Sequence, residues 1–178
     1  MDITYIKDKE FKLTGKNIAI AINPKTKAKT DVILYSESQE NNSTETLIFD
    51  GPGEYEVKGS MINGIQISQS GKICYSITID DLKVVYLGDI ENSLTDNELD
   101  LIGAVDILLI SIGDLDPSNI SKIIGQIEPR VVIPMNYTPE KLKSFESEVG
   151  TTPSPVEKFK IIKKDLNTDT QQIIILKS

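Results

Sequence analysis

Two apolar runs in the sequence are followed directly by polar side chains, where a binding or catalytic site is expected. The run at residues 83–87, which contains Tyr86, leads through a glycine into Asp89, and the run at residues 131–133 leads into Asn136. Short runs rich in β-branched residues predict buried strands. Because ligands in open α/β sheets lie beyond the carboxyl ends of the strands, we expect any chemistry of this chain near these side chains.

The residue types available for chemistry are restricted, since the chain has no histidine and one cysteine. The absence of histidine excludes Ser-His-Asp and Cys-His catalysis and any His-ligated metal. Cys74 lies in a strand-like run and has no basic neighbour in the sequence, which predicts a small buried apolar side chain rather than a reactive thiolate. No G-x-G-x-x-G or G-x-x-x-x-G-K-[ST] motif indicates phosphate binding.

Composition favours a soluble globular protein. The 178 residues predict one domain, 1–178, and 39% hydrophobic with 26% charged residues is typical of this class. The net charge of −8 argues against nucleic-acid binding. No apolar run approaches the roughly 20 residues that span a bilayer, and the first residues do not match a signal-peptide pattern, so we expect no membrane contact and a cytoplasmic location. Lys25 lies in a basic run that is best interpreted as a solvated loop.

The order of predicted elements indicates how these side chains are positioned. Strand-like segments fill the first half, and Asp80-Asp81 predicts a hairpin turn. Helical patterns at residues 94–102, 117–128 and 138–149 then alternate with buried strands, and closing strands are predicted at residues 159–162 and 172–176. Many strands followed by alternating strands and helices predict two packed sheets with helices outside.

The strand-end residues also have structural interpretations. An Asp after Gly often caps a turn or the start of a helix, and we favour that role for Asp89 over a catalytic one. Tyr35, Tyr86 and Tyr137 stand at predicted strand ends, where they would line a cleft for a small ligand or pack at the edge of the core. We favour packing, with the hydroxyls in water.

Four segments resemble, in order, a small branch of the metallo-β-lactamase-fold proteins described as Zn-dependent hydrolases. They are residues 50–59 (Asp-Gly-Pro-Gly-Glu-Tyr-Glu-Val-Lys-Gly), 86–89 (Tyr-Leu-Gly-Asp), 105–109 (Val-Asp-Ile-Leu-Leu) and 128–137 (Glu-Pro-Arg-Val-Val-Ile-Pro-Met-Asn-Tyr). The resemblance implies an α+β fold, a metallo-β-lactamase-like αββα sandwich in which two packed mixed β-sheets are flanked by helices. It also implies zinc as the cofactor.

The same resemblance shows where this chain departs from the family's metal ligands. The family's Gly-His-Ser turn corresponds to residues 7–9 (Lys-Asp-Lys), and its His-x-His-x-Asp-His loop to residues 37–42 (Glu-Ser-Gln-Glu-Asn-Asn). Tyr86 and Asn136 stand at two further histidine positions, and Asp89 alone remains of the ligand set. The candidates for a vestigial pocket are Asp8, Glu37, Gln39, Asn41, Asn42, Tyr86, Asp89 and Asn136.

These candidates do not make a zinc site. Hydrolytic zinc needs several nitrogen or thiolate ligands at about 2.0–2.3 Å and lowers the pKa of its bound water to about 7. Carboxylates, amides and a phenol would suit Mg²⁺ or Ca²⁺ better. Alternatively, the amides form a hydrogen-bonded plug that fills the cavity without a metal, which we favour.

The sequence therefore favours a pseudo-enzyme, a non-catalytic protein of the metallo-β-lactamase fold with a binding, scaffolding or regulatory role. We assign no catalytic, cofactor-binding or metal-ligating residue and expect no cofactor. The alternative is a hydrolase of the superfamily that uses a non-zinc cation or a metal-free site, such as Tyr86 with a lysine. The resemblance also implies a homo- or hetero-oligomer, because inactive members of this superfamily often pair with active relatives.

Overall fold

The computed structural model describes residues 1–26, 28–39, 46–68, 70–90, 92–166 and 170–178, and within these ranges a pair of mixed sheets packs face to face. The first sheet contains β1 (Asp2–Lys7), β2 (Glu10–Thr14), β3 (Ala19–Ile22), β4 (Val32–Leu34), β5 (Leu47–Phe49) and β12 (Phe159–Lys160), in the order β12-β1-β2-β3-β4-β5. The second contains β6 (Gly53–Val57), β7 (Ser60–Gln66), β8 (Ile73–Ile79), β9 (Leu82–Gly88), β10 (Ile107–Ser111), β11 (Val131–Met135) and β13 (Gln172–Ile173), in the order β13-β11-β10-β9-β8-β7-β6.

The first half of the chain forms strands because its apolar residues alternate with polar ones. In β1, Ile3 and Tyr5 are buried while Thr4 faces outward, as a half-buried strand requires. The predicted hairpin turn between β8 and β9 is confirmed, since Asp80 and Asp81 both have positive φ, at 52° and 65°. Two positive φ values are what a tight two-residue hairpin needs.

The second half supplies parallel strands that are buried on both faces. Strands β9, β10 and β11 pair in parallel, and the side chains of β10 and β11 are buried throughout. Continuous apolar runs are typical of strands covered on both sides. Because the three strands run in the same direction, the residues that follow them lie at one edge of the sheet. The Asp89 and Asn136 side chains are therefore brought to the same edge.

Three α-helices in the described residues cover the outer face of the second sheet: α1 (Asp96–Ile102), α2 (Pro117–Ile127) and α3 (Pro139–Val149). Four isoleucines spaced along one face of α2 are buried against the sheet: Ile120, Ile123, Ile124 and Ile127. A 3₁₀ turn follows at Lys163–Asp165. The expected architecture, two packed mixed sheets with helices outside, is confirmed.

The closing strands are shorter than predicted, since β12 ends at Lys160 and β13 at Ile173. Beyond Ile173 the backbone leaves the regular ladder, and Leu176 makes an isolated parallel bridge to Val156. Ile175 and Leu176 are buried in the core although β13 has already ended, so the apolar pattern of residues 172–176 reflects burial rather than a longer strand. Among the described residues, no helix combines the length and apolar character needed to cross a membrane.

Candidate functional site

The centre of the site is the carboxylate of Asp89, which follows β9 after a turn at Gly88 with φ of 68°. Its Oδ2 atom accepts hydrogen bonds from the ammonium groups of Lys9 and Lys72, the latter at 2.9 Å. Lys72 Nζ also lies 3.1 Å from Glu37 Oε1. Two ammonium groups and two carboxylates thus form one ion-pair cluster, which we call the Asp89 cluster.

The Asp89 cluster is partly shielded from water. The side chain of Asp89 is 18% exposed, those of Lys9 and Lys72 are 34% and 31% exposed, and that of Glu37 is 64% exposed. Burial by itself would raise the pKa of Asp89, but the hydrogen bonds from the two lysines outweigh it and lower the pKa. The hydrogen bond to Asp89 raises the pKa of Lys72. Both groups are therefore charged at neutral pH.

This arrangement corrects the structural role that we expected for Asp89. The following helix is capped by Thr95, whose hydroxyl accepts a hydrogen bond from the Glu98 backbone, and not by Asp89. The carboxylate of Asp89 instead receives side chains from the β1–β2 turn and from the segment before β8. Its partners lie 80 and 17 residues away in the sequence, so no local pattern indicates them.

Tyr86 lies beneath the Asp89 cluster and is fully buried. Its hydroxyl accepts a hydrogen bond from Asn23 Nδ2 at 2.8 Å and donates one to the carbonyl of Lys9 at 3.2 Å. Asn23 is held in turn by Ser36. The expectation that the hydroxyl reaches water is therefore wrong for Tyr86. Burial also raises the pKa of this phenol, so it remains protonated.

Asn136 closes the other side of the site. Its side chain donates to Ser111 Oγ at 3.1 Å, and its backbone N–H donates to the hydroxyl of Tyr5 at 3.2 Å. The backbone φ of Asn136 is 53°, a value that residues other than glycine and asparagine rarely adopt. A Cβ atom on Gly113 would lie 2.2 Å from the carbonyl oxygen of Asn136, so glycine is required there.

The remaining candidates lie at the rim or outside the described residues. Asp8 is exposed and pairs with Lys25, whose side chain is 58% exposed, in agreement with a solvated loop. Gln39 donates from its backbone to Asp50 and from its side chain to the carbonyl of Glu37. Asn41 and Asn42 fall outside the described residues. Among the described residues, Lys9 and Lys72 contact Asp89 at the centre of the site, and Gln39 and Asn136 line the cavity beside it, so the amide plug stays a prediction.

An open cavity of about 690 Å³ lies above these residues. Its lining includes Asp8, Lys9, Tyr35, Glu37, Gln39 and Asn136, so most of the described candidates share one polar cavity. Tyr137 lines a neighbouring cavity of about 420 Å³ and donates to the carbonyl of Leu176.

Sequence reasoning missed four residues that hold the site together: Lys9, Lys72, Asn23 and Ser111. Ser111 could have been found, because it ends β10, the parallel strand between β9 and β11, at the same edge as Asp89 and Asn136. Lys9 stands in the turn that the resemblance aligned with a histidine motif. Asn23 and Lys72 carry no signal, since their partners come from distant segments.

The comparisons with known proteins agree with this fold. A family model described as a β-lactamase superfamily domain matches residues 2–136. The chain belongs to the β-lactamase superfamily. No curated protein matches the sequence.

Solved structures share the fold at low sequence identity. A Thermotoga maritima protein assigned to the Zn-dependent hydrolases of the metallo-β-lactamase superfamily is 21% identical, with a TM-score of 0.85 over 99% of this chain and 100% of that one. The metallo hydrolase Igni18 from Ignicoccus hospitalis is 17% identical, with a TM-score of 0.60 over 90% and 98% of the two chains. The metallo-β-lactamase-fold protein YhfI from Bacillus subtilis is 8% identical, with a TM-score of 0.66 over 99% and 96%.

The residues of this site do not fit the zinc that the fold implies. The chain has no histidine, and its one cysteine, Cys74, is fully buried. Within the described ranges, no three His, Cys, Asp or Glu side chains are grouped so that they could hold a metal ion. Asp89, the one family ligand that the chain retains, already contacts two ammonium groups, which would repel a divalent cation.

Proposed function

We propose that this chain is a non-catalytic member of the superfamily, whose former metal site serves binding, scaffolding or regulation instead of hydrolysis. The observation that carries the proposal is the pairing of Asp89 with Lys9 and Lys72. In a hydrolytic metal centre a carboxylate at this position would help to hold the ion that activates water. Here the carboxylate is neutralised by the chain's own side chains, and we propose that zinc is not a cofactor.

The other groups near the site do not supply a nucleophile or a general base. Burial raises the pKa of Cys74 to about 12 and also raises that of Tyr86, so both stay protonated at neutral pH. Lys72 has a raised pKa and remains an ammonium ion, which is not nucleophilic. The Ser111 hydroxyl accepts a hydrogen bond from Asn136 and lies beside Asp89, whose lowered pKa makes its carboxylate a weak base.

The cavity beside the Asp89 cluster supports a binding role. Its lining contains acidic, basic and amide side chains, and its opening is large enough for a small polar ligand. Pairing with a second copy or with an active relative remains a proposal, as does the cytoplasmic location.

The alternative function is hydrolysis with a non-zinc cation or without a metal. The observation that favours it is the Oδ1 atom of Asp89, which is buried and makes no well-oriented hydrogen bond among the described residues, although the Ser111 side chain lies beside the carboxylate. A buried carboxylate oxygen without a partner is costly and can mark a site for a ligand or water. Both lysines contact the other carboxylate oxygen, Oδ2.

The test is a hydrolysis assay on purified protein that carries no histidine tag. Phosphodiester, ester and lactam substrates are supplied with Mg²⁺, Ca²⁺, Mn²⁺ or Zn²⁺, beside the Asp89→Ala variant and the exposed-surface control Glu148→Gln. We expect the same background rate for all three proteins. A rate that is lost in Asp89→Ala and kept in Glu148→Gln would overturn the proposal and support the hydrolase.

A further inference from the structure

We infer that Lys9 and Lys72 take over the structural role of bound metal ions and clamp the two sheets together at the former metal site. A structural metal joins ligands from separate segments, and its binding free energy contributes to folding. The Asp89 cluster joins four separate segments in the same way, with ammonium groups in place of the ion.

The connectivity of the cluster supports this role. Lys9 lies between β1 and β2, and Glu37 follows β4, so both belong to segments of the first sheet. Lys72 precedes β8 and Asp89 follows β9, so both belong to segments of the second sheet. The ion pair between Lys9 and Asp89 and the one between Lys72 and Glu37 therefore each cross from one sheet to the other.

The charge balance of the cluster also fits a substitute for a metal centre. Two ammonium groups face two carboxylates, so the four side chains carry no net charge together. A divalent ion at Asp89 would add two positive charges beside two ammonium groups, and their repulsion is strong where water is partly excluded. The clamp thus excludes the ions it replaces, and removal of the lysines should leave carboxylates that attract them.

The partial burial of the pairs indicates that the clamp contributes to stability. Exposed ion pairs contribute little, because water and salt screen them and both side chains lose freedom. Here Asp89 is 18% exposed and each lysine about one third exposed, so screening is incomplete. The exposed pairs formed by Lys25 and Lys58, whose side chains are 58% and 51% exposed, provide the contrast.

This inference concerns the same site as the proposed function, but its test measures stability, so each can fail without the other. The test compares thermal unfolding of wild type with the variant Lys9→Met/Lys72→Met, which keeps side-chain length and removes both charges. Lys25→Met/Lys58→Met is the matched control. We expect the midpoint to fall by about 5–10 °C in the first variant and by about 2 °C or less in the control.

The response to divalent cations gives the second readout. We expect millimolar Mg²⁺ or Ca²⁺ to raise the midpoint of Lys9→Met/Lys72→Met, because a ligand that binds only the folded state stabilises it. The midpoint of the wild type should change with neither these ions nor EDTA. A Lys9→Met/Lys72→Met variant as stable as the control, or a wild type stabilised by divalent cations, would overturn the inference.

A third variant keeps the test decisive if the double variant does not fold. Lys9→Met/Lys72→Met/Asp89→Asn removes the carboxylate that the first change leaves without a partner. If the lysines act through charge, this variant should be more stable than the double variant. A triple variant as unstable as the double variant would show that the lysines act through packing alone, which contradicts the inference.

Discussion

Two carboxylates, the buried Glu98 and the partly buried Asp89, are held in opposite ways. Glu98 is 3% exposed and receives four hydrogen bonds from neutral donors, the backbone N–H and hydroxyl groups of Ser68 and Thr95. Asp89 is held by two ammonium groups from distant segments. Neutral donors fix a carboxylate without balancing its charge, whereas the two lysines balance the charge of Asp89.

The comparison also separates what each carboxylate stabilises. Glu98 forms a capping box with Thr95 and ties the start of α1 to the segment after β7. It therefore stabilises the contact between α1 and the second sheet. Asp89 joins the two sheets, at the edge where the family's metal site would lie.

The largest effect that we expect comes from Glu98→Ala. The change leaves the N–H groups of Ser68 and Thr95 without their acceptor and removes the Glu98 half of the capping box, while the Thr95 hydroxyl still caps the helix. The unsatisfied buried donors should lower the free energy of unfolding by about 3 kcal/mol. Urea unfolding measures this loss. Glu98→Gln, which keeps an acceptor, should lose less, and equal losses in both variants would contradict the role of these hydrogen bonds.

Acid should reduce the contribution of Glu98 to the stability of the wild-type protein. Burial would raise the pKa of Glu98, but its hydrogen bonds lower it from 4.5 to about 2. Since the pKa is lower in the folded state, the stabilisation is present above the unfolded value of 4.5 and is lost as pH falls from there toward 2. This contribution is on the order of 3 kcal/mol at neutral pH. Urea unfolding between pH 6 and pH 3 should show a shallower loss for Glu98→Gln than for wild type, and parallel curves would contradict this assignment.

A smaller effect is expected from Asp89→Asn. The substitution keeps the shape of the side chain but removes the charge that Lys9 and Lys72 share. Because each lysine is about one third exposed, both ammonium groups can turn toward water, and we expect a loss of about 1–2 kcal/mol. Chemical unfolding of both proteins measures it. A loss as large as that of Glu98→Ala would remove the difference between the two regions.

The smallest effect is expected from Lys25→Met at the rim of the cavity. Its partner Asp8 and Lys25 itself are more than half exposed, so their ion pair is open to solvent and salt. The free energy of unfolding should change by about 0.5 kcal/mol or less. Chemical unfolding at low and high salt measures the contribution of this ion pair to the free energy of unfolding. A loss comparable to that of Asp89→Asn would mean that exposure does not separate the cluster from its surroundings.

The sequence predicted those features of the fold that depend on local patterns. The hairpin turn at Asp80 and Asp81 and the helices within residues 94–102 and 117–128 were each visible, because every one depends on neighbouring residues. The predicted closing strands were too long, because apolar residues after the end of a strand can remain buried.

The candidate site was only partly predictable. The positions of Asp89 and Asn136 followed from the rule that parallel strands end at one edge, and Glu37 followed from the resemblance. The partners of Asp89 did not follow, since lysines are usually surface residues and nothing in the sequence places Lys9 and Lys72 on the same oxygen atom. The amide plug stays a prediction, since Asn41 and Asn42 lie outside the described residues and Gln39 and Asn136 line an open cavity.

The most direct test of the central claim is the metal content of the wild-type protein. Protein without a histidine tag is dialysed against mixed divalent cations, washed, and analysed for metals by elemental analysis beside Asp89→Ala. With Lys9 and Lys72 on Asp89, we predict far less than one metal ion per chain in both proteins. One ion per chain in the wild type, lost in Asp89→Ala, would contradict the claim that lysines have replaced the metal.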